Sequence, residues 1–359
     1  MTQRKHYLDN LRTFAVLMLF PQHSFMPFND WGETWYLHSA EVASLSAIKN
    51  FNSLWMMPLL FTIAGVSSRL ALEKRGAGAY AKERVSKLLL PLIFGVLLIV
   101  PVQSYIAGLF WNGHAGYFDS FTKLTDLRGY DGAFTVGQLW FLLYLFVIAM
   151  VSLPFLLIYK KKGKGTFGER IPLIALIPAG ILPLFGRMVF DISGIAPLEY
   201  MAYFLLGYFF LANEKTPEKL DKRRFWLLGF FLALAGIFMT FILTPYERLS
   251  WFDTPFFLYI FTILLQLASW LSILALIGLG RHYLNFSGRI TGYLAKSSFG
   301  VYLFHQSWLV TIGYFVIKNT GKPAIQYPLI LLGTIVMAFL TYEGARRVAP
   351  LRWMFALKK

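Results

Sequence analysis

Residues 7–28 read YLDNLRTFAVLMLFPQHSFMPF, an apolar run carrying Asp9 and Arg12 at one end and His23 near the other. A helix needs about 20 predominantly apolar residues to cross the hydrocarbon core of a bilayer. An ionisable side chain inside such a run is costly to keep there, so it marks a functional position by default. Arg12 and His23 are eleven residues apart. On a straight helix that places both on one face, about 16 Å apart along the axis.

The whole chain follows this pattern. It has 359 residues, 57% of them hydrophobic and only 14% charged, with a mean hydropathy of +0.56. Soluble domains are nearer half apolar and a quarter charged, so the composition is that of an integral membrane protein. With no cysteine, disulfides, thiolate metal sites and a cysteine nucleophile are excluded, and nothing else in the sequence calls for a metal. Met1–His6 is short and polar with no cleavage site after it, so the first apolar run reads as a retained helix rather than a signal peptide.

Windows of about 20 apolar residues predict helices near 11–28, 51–72, 88–108, 136–158, 171–188, 198–212, 224–243, 254–279, 297–317 and 327–345. The expected fold is therefore all-α: a polytopic membrane protein of about ten transmembrane helices forming a single integral-membrane domain over 1–359.

The net charge of +16 could signal nucleic acid, but its distribution points to topology. With the N-terminus inside, 26 of the 34 Lys and Arg fall in inner segments, among them Arg4, Lys5, Lys74, Arg75, Lys160, Lys161, Lys162, Lys164 and Lys359. Seven fall outside (Lys49, Lys123, Arg128, Arg187, Arg248, Lys318 and Lys322), and Arg69 sits at an inner helix edge. This is the positive-inside bias of a multispanning chain with both termini in the cytoplasm. The partner it implies is a lipid bilayer, not nucleic acid.

Two outer loops stand out. Residues 29–50 hold Asp30, Trp31, Glu33, Trp35, His38 and Glu41; residues 108–135 hold Trp111, His114, Tyr117, Asp119, Asp126, Arg128, Tyr130 and Asp131. Aromatics mixed with carboxylates suit a sugar-binding surface. They equally suit an interfacial aromatic belt with solvated charges.

His23 is the sharpest chemical candidate. A neutral imidazole can take a proton from a hydroxyl and return it later; the plainer account is a histidine that packs helices. Arg84 and Lys87, three apart just before Leu88–Pro91, would share a helix face at the inner surface. They read either as lipid-headgroup contacts or as a phosphate clamp. Ser298, Tyr302 and His305 recur about a turn apart in SSFGVYLFHQSW, and Glu343 sits near the inner end of the last helix. Glu343 could pair locally with Arg346 and Arg347, or turn inward toward Arg12, Arg84 and Lys87. Arg187 and Asp191, four apart, read as a rim pair.

In order, these motifs resemble the acyltransferase 3 family of membrane-bound bacterial O-acyltransferases. The family's opening L-D-x-L-R with a His eleven residues on is matched by Leu8, Asp9, Leu11, Arg12 and His23. Its F-x-I-S-G element is matched by Phe61, Ile63 and Gly65, with Ala64 in place of the serine. Its basic pair before a proline is Arg84, Lys87 and Pro91, where Lys87 replaces the commoner Arg and loses the bidentate fork. W-F-L is Trp140, Phe141 and Leu142; S-x-x-x-Y-L-x-H is Ser298, Tyr302, Leu303 and His305; Y-E is Tyr342 and Glu343.

The resemblance implies an acyl-CoA-dependent O-acyltransferase in the bacterial cytoplasmic membrane. Acetyl-CoA or succinyl-CoA would be the co-substrate, with Arg12, Arg84 and Lys87 on its phosphates. His23 would be the general base on a hydroxyl of an extracytoplasmic glycan or other envelope acceptor. Asp9, Trp140, Ser298, Tyr302, His305 and Glu343 would line or support the chamber. The rival class is a transporter or flippase with His23, His305 and Glu343 on a proton or substrate path; acyl-CoA should stabilise an acyltransferase and not a transporter. A scaffold with helix-packing polar groups predicts a silent His23→Ala.

Overall fold

The computed structural model describes residues 5–124, 128–161, 167–192, 194–244 and 254–358. Arg4, Lys162, Lys164, Arg248 and Lys359 of the charge pattern, and Asp126 of the second outer loop, lie outside the described residues. Among the described residues no β-strand forms; an isolated bridge joins Ile192 and Ile195.

In chain order the helices are α1 His6–Leu17, α2 Leu19–Ser24, α3 Ala43–Ser53, α4 Met56–Lys74, α5 Ala77–Arg84, α6 Leu90–Leu98, α7 Val100–Asn112 and α8 Trp140–Lys161. The short α9 Leu173–Leu176, α10 Leu182–Val189, α11 Pro197–Leu206 and α12 Lys215–Lys222 follow. The long α13 Arg224–Leu243, α14 Pro255–Tyr283, α15 Arg289–Asn319 and α16 Pro323–Ala345 precede the terminal α17 Ala349–Met354. Proline opens α11, α14 and α16, where its missing N–H is one the helix could not have used and its φ is already helical.

Among the described residues, seven helical stretches are long and apolar enough to cross a membrane: Ala43–Lys74, Ala77–Asn112, Gly137–Lys161, Arg224–Leu243, Pro255–Tyr283, Arg289–Asn319 and Pro323–Ala345. The protein is an all-α polytopic membrane protein. The other three predicted runs fold as shorter pieces. Residues 171–188 become α9, a 3₁₀ turn and α10; residues 198–212 become α11 and a π turn, Gly207–Leu211.

The opening run is itself interrupted. Pro21 in α2 has no N–H to donate to the carbonyl of Leu17 four residues back, and Met18 separates α1 from α2. Met18 keeps helical dihedrals, φ −68° and ψ −12°, and its carbonyl accepts from the Gln22 N–H at 3.1 Å, so the run goes on as a helix with an interrupted hydrogen-bond ladder.

The chain divides into two compact units, each assembled from three separated stretches: residues 1–15, 50–81 and 147–291, and residues 16–49, 82–146 and 292–359. In the first unit, α4 and α11 approach closely. A Cβ on Gly65 would fall 1.9 Å from the Phe204 carbonyl oxygen, and one on Gly207 would fall 2.1 Å from that of Thr62. Gly65 of the F-x-I-x-G element is thus a packing residue, since only a bare Cα lets the two backbones meet. Gly65→Ala should destabilise the protein by about 3 kcal/mol, because the clash is with backbone rather than a movable side chain. Thermal unfolding in detergent reads this, and an unchanged midpoint would refute the close approach.

In the same unit, Lys5 meets Glu214 at 2.8 Å and Arg281 meets it at 3.2 Å. Asn10 donates to the carbonyls of Leu284 and Phe286 at 2.7 and 2.9 Å. These bonds tie the start of the chain to the end of α14.

The second unit has its own apolar core, built from Met26, Phe28, Trp35, Tyr36, Leu37, Ile106, Leu309, Val310 and Ile330. The first outer loop therefore differs from the sequence expectation. Its later part is helical, as α3, and Trp35, Tyr36 and Leu37 are buried rather than displayed. Of its aromatics Trp31 stays exposed, with Lys49 over its ring at 4.3 Å.

Candidate active site

The site is built on α2, α7 and α15 of the second unit. The rings of His23 and His305 meet edge to face, centroids 5.2 Å apart and planes at 86°. His305 is 1% exposed, and Phe20 packs on it from the side, 5.7 Å between ring centroids. His23 is only partly covered. Nδ1 of His23 and Nε2 of His305 are buried, and the Gln306 amide is the hydrogen-bonding neighbour of the His23 ring. Two imidazoles inside an apolar bundle are polar groups that need such partners.

The His305 tautomer follows from its surroundings. Nδ1 lies 2.7 Å from the carbonyl of Tyr302. A carbonyl can only accept, so Nδ1 carries the hydrogen and Nε2 of the neutral ring presents a lone pair. Tyr302 is itself fixed, its hydroxyl donating to the carbonyl of Gln138 at 2.6 Å. Ser298, buried one turn earlier, donates to the Ala295 carbonyl at 3.3 Å. Ser298, Tyr302 and His305 are all buried, and α15 is buried on every side over residues 300–306. Trp140, at the start of α8, is half-buried with its ring edge-on to Tyr144 at 5.6 Å.

A feature the sequence reading missed completes this region. Gln103, Gln138 and Gln306, all at most 3% exposed, form one hydrogen-bonded chain with Ser307 and the backbone. Each lies in or at the edge of an apolar run, which was the available signal. Uncharged amides draw less notice than charges, although polar groups of either kind need partners in a membrane.

The basic candidates are arranged differently from the expected shared face. Residues 85–89 form a π turn, immediately before Pro91. Pro91 cannot donate to the carbonyl of Lys87, and the wider i→i+5 turn sits where that bond is missing. Residues three apart on such a turn diverge more than on an α-helix. Arg84 is half-buried, while Lys87 is exposed and paired with Glu83. The surrounding stretch, Ala77–Asn112, has 36 residues. At 1.5 Å per residue that is roughly 54 Å against a core of about 30 Å, so it has length to spare beyond the hydrocarbon.

In the first unit Arg12 forms an ion pair with Asp9 on the preceding turn. Glu343 takes the local option, bonding Arg346 at 2.7 Å, Arg347 at 3.5 Å and the Tyr293 hydroxyl at 2.9 Å. Arg187 is not paired with Asp191 as the spacing suggested. It lies 3.9 Å from Glu199 at the start of α11, and Asp191 accepts instead from the Gly194 N–H at 2.6 Å.

A polar cleft of about 430 Å³ opens at the end of α7, lined by Ser104, Asn112, His114, Asp119, Lys123 and Asp131 among others. Helix α7 reaches it directly, since Ser104 follows Gln103 of the buried chain and Asn112 ends the helix. Gly113, at φ +75°, turns the chain away there, a conformation glycine adopts without steric cost.

The acyltransferase 3 model, described as an acyltransferase domain, matches residues 5–343. The chain belongs to the acyltransferase 3 family. It is similar to the glucans biosynthesis protein C of Escherichia coli O17:K52:H18 (strain UMN026 / ExPEC), 23% identical over 390 aligned residues that span 99% of this chain and 95% of the relative. The counterpart from Escherichia coli O139:H28 (strain E24377A / ETEC) is 22% identical with the same coverage. No solved structure matches. Family and apolar helices together make this a multi-pass membrane acyltransferase. Among the described residues no group of three or more His, Asp or Glu is placed to hold a metal ion.

Proposed function

We propose that this acyltransferase moves a small acyl group, of the acetyl or succinyl type, from cytosolic acyl-CoA to a hydroxyl of an extracytoplasmic glycan or other envelope acceptor. The chain would act as one integral domain in the bacterial cytoplasmic membrane, with both termini in the cytoplasm. The observation that carries the reading is the buried His23–His305 ring pair in a chain of this family. The relatives' name, glucans biosynthesis protein C, favours a glucan as acceptor.

His23 takes the proton of the acceptor hydroxyl as its oxygen attacks the thioester carbon. The new C–O bond forms, the C–S bond breaks, and the leaving CoA thiolate receives the proton from His23. No enzyme nucleophile is needed, which suits a chain without cysteine. Arg12, Arg84 and Lys87 are the candidate phosphate ligands, as charge-assisted donors on the inner side. His305, Tyr302, Ser298 and Trp140 support the chamber around the base; Asp9 holds Arg12, and Glu343 holds the end of α16. Acyl-CoA should raise the thermal stability of the purified protein. A protein indifferent to acetyl-CoA and succinyl-CoA, yet catalysing proton-coupled solute movement, would favour the transporter class instead.

A further inference from the structure

The cleft of about 430 Å³ at the end of α7 lies wholly within the second unit. Lys87 and Asn112 are 25 residues apart on one helical stretch. That is roughly 37 Å of helix against a hydrocarbon core of about 30 Å. The cleft and the basic pair therefore sit at opposite ends of an element long enough to cross a membrane. Ser104, buried at the cleft's floor, donates to the Ala133 carbonyl at 3.2 Å. It follows Gln103, whose side chain bonds the Gln306 amide at 3.0 Å, and that amide neighbours the His23 ring.

The lining presents more acceptors than donors. Asp119 accepts the Gly116 N–H at Oδ2, 2.7 Å away, and Asp131 accepts the Ala133 N–H at Oδ1, 3.1 Å away. Each turn fixes a carboxylate and leaves its second oxygen available. Nδ1 of His114 lies 3.0 Å from the Asn112 carbonyl. A carbonyl only accepts, so Nδ1 carries the hydrogen and Nε2 of the neutral ring offers a lone pair. Asn112 gives its NH₂ to the Asp131 carbonyl at 3.1 Å, which leaves its side-chain oxygen as a further acceptor. Lys123 supplies the cation among these residues. Two carboxylates against one ammonium leave the lining net negative.

That chemistry narrows the ligand. A hydroxyl donates to a carboxylate, an imidazole nitrogen or an amide oxygen, and accepts from an ammonium. An anion meets like charge, which costs several-fold in affinity or more. The turn between Gly116 and Asp119 carries Tyr117 and Phe118, and Trp111 precedes Asn112; all three are exposed. Flat apolar faces beside hydrogen-bonding groups match a sugar ring, with its C–H faces and hydroxyl rim.

We propose that this cleft is a docking subsite for a neutral sugar unit of a glucan chain, held apart from the hydroxyl that is acylated. This rests on the reading of the protein as an acyltransferase toward an extracytoplasmic glycan. Asp119 and Asp131 accept from the sugar hydroxyls and Lys123 donates to them. The net negative lining turns away anionic ligands, including sugar units that already carry a succinyl group.

The test is isothermal titration of the full-length protein in lipid nanodiscs, free of glycoside detergent, with maltopentaose, cellopentaose and a carboxymethylated form of each. The wild type should bind at least one neutral oligosaccharide, and its carboxymethylated form at least about tenfold more weakly. Asp119→Asn combined with Asp131→Asn keeps both turns, because an amide oxygen still accepts each backbone N–H. It replaces the second oxygens with donors, so affinity should fall by about tenfold or more. If the thermal midpoint shows that this double variant is misfolded, Lys123→Met decides instead. Lys123 is exposed, and its loss should weaken binding by about three- to tenfold. His23→Ala should bind the oligosaccharide as the wild type does.

No binding of either neutral oligosaccharide overturns the proposal, as does equal or tighter binding of the anionic forms. Wild-type affinity in the deciding variant overturns it too. The proposed function fails separately: a protein that binds sugar in this pattern yet transfers no acyl group keeps the subsite and loses the reaction. One that acylates glucan while its cleft variants bind as the wild type does the reverse.

Discussion

His23→Ala should lower acyl transfer by about 10³-fold or more while leaving acyl-CoA affinity within about twofold of wild type. A positioned base contributes on the order of 10²–10⁴ in rate. Here it acts in a bundle where water offers a poor substitute. His23 sits in α2 of the second unit, partly covered and in ring contact with His305, so its removal opens space without stranding a charge. A purely structural His23 predicts the opposite pattern, with lowered stability and near-normal turnover of the protein that remains folded. Isothermal titration with a non-hydrolysable acyl-CoA analogue separates binding from chemistry. Loss of affinity in His23→Ala would place the cofactor against the imidazole itself.

The second large effect concerns the basic pair, and the π turn makes it unequal. Arg84→Ala should weaken acyl-CoA binding by about 10- to 100-fold, the range of a charge-assisted hydrogen bond to phosphate. Lys87→Ala should cost only a few-fold. Arg84 is half-buried, where screening is weak, whereas Lys87 is exposed and already paired with Glu83, and exposed pairs are worth little. Wild-type affinity should fall as salt rises mainly through the exposed Lys87 contact, so the Arg84→Ala variant should keep a slope close to that of the wild type. Equal effects of the two substitutions would mean that the pair acts as a diffuse positive surface rather than through Arg84.

Much of this was legible in the chain because membranes impose simple rules. Long apolar runs became long helices, and the order of polar landmarks led to the family. The Ser298–Tyr302–His305 spacing was readable because α15 is regular from Arg289 to Asn319. The misreadings came from proline and from three-dimensional partners. Pro21 interrupts the hydrogen-bond ladder of the opening run at Met18, and Pro91 accompanies the π turn under Lys87. A periodicity argument treats both stretches as straight helices. Trp35 and Tyr36 sat in a segment that looked like an outer loop, yet they anchor a core against α7 and α15. Arg187 found Glu199 rather than Asp191, a choice that local spacing could not show.

The glutamine chain was missed for another reason. Three amides far apart in sequence mean little singly, and only their contacts reveal that each orients the next. Gly65 was legible as a motif but not as to cause. The structure gives that cause as the backbone of Phe204.

With His23 as the base, transfer of an acyl group across the membrane to a hydroxyl should depend on that one imidazole. The most direct measurement uses the purified protein in liposomes, with radiolabelled acetyl-CoA or succinyl-CoA confined to the cytoplasmic face and a glucan oligosaccharide on the other. The account predicts label on the oligosaccharide as an alkali-labile ester, formed by the wild type and abolished in His23→Ala. Transfer at the wild-type rate by His23→Ala, or no labelled ester from the wild type with either donor, would contradict it.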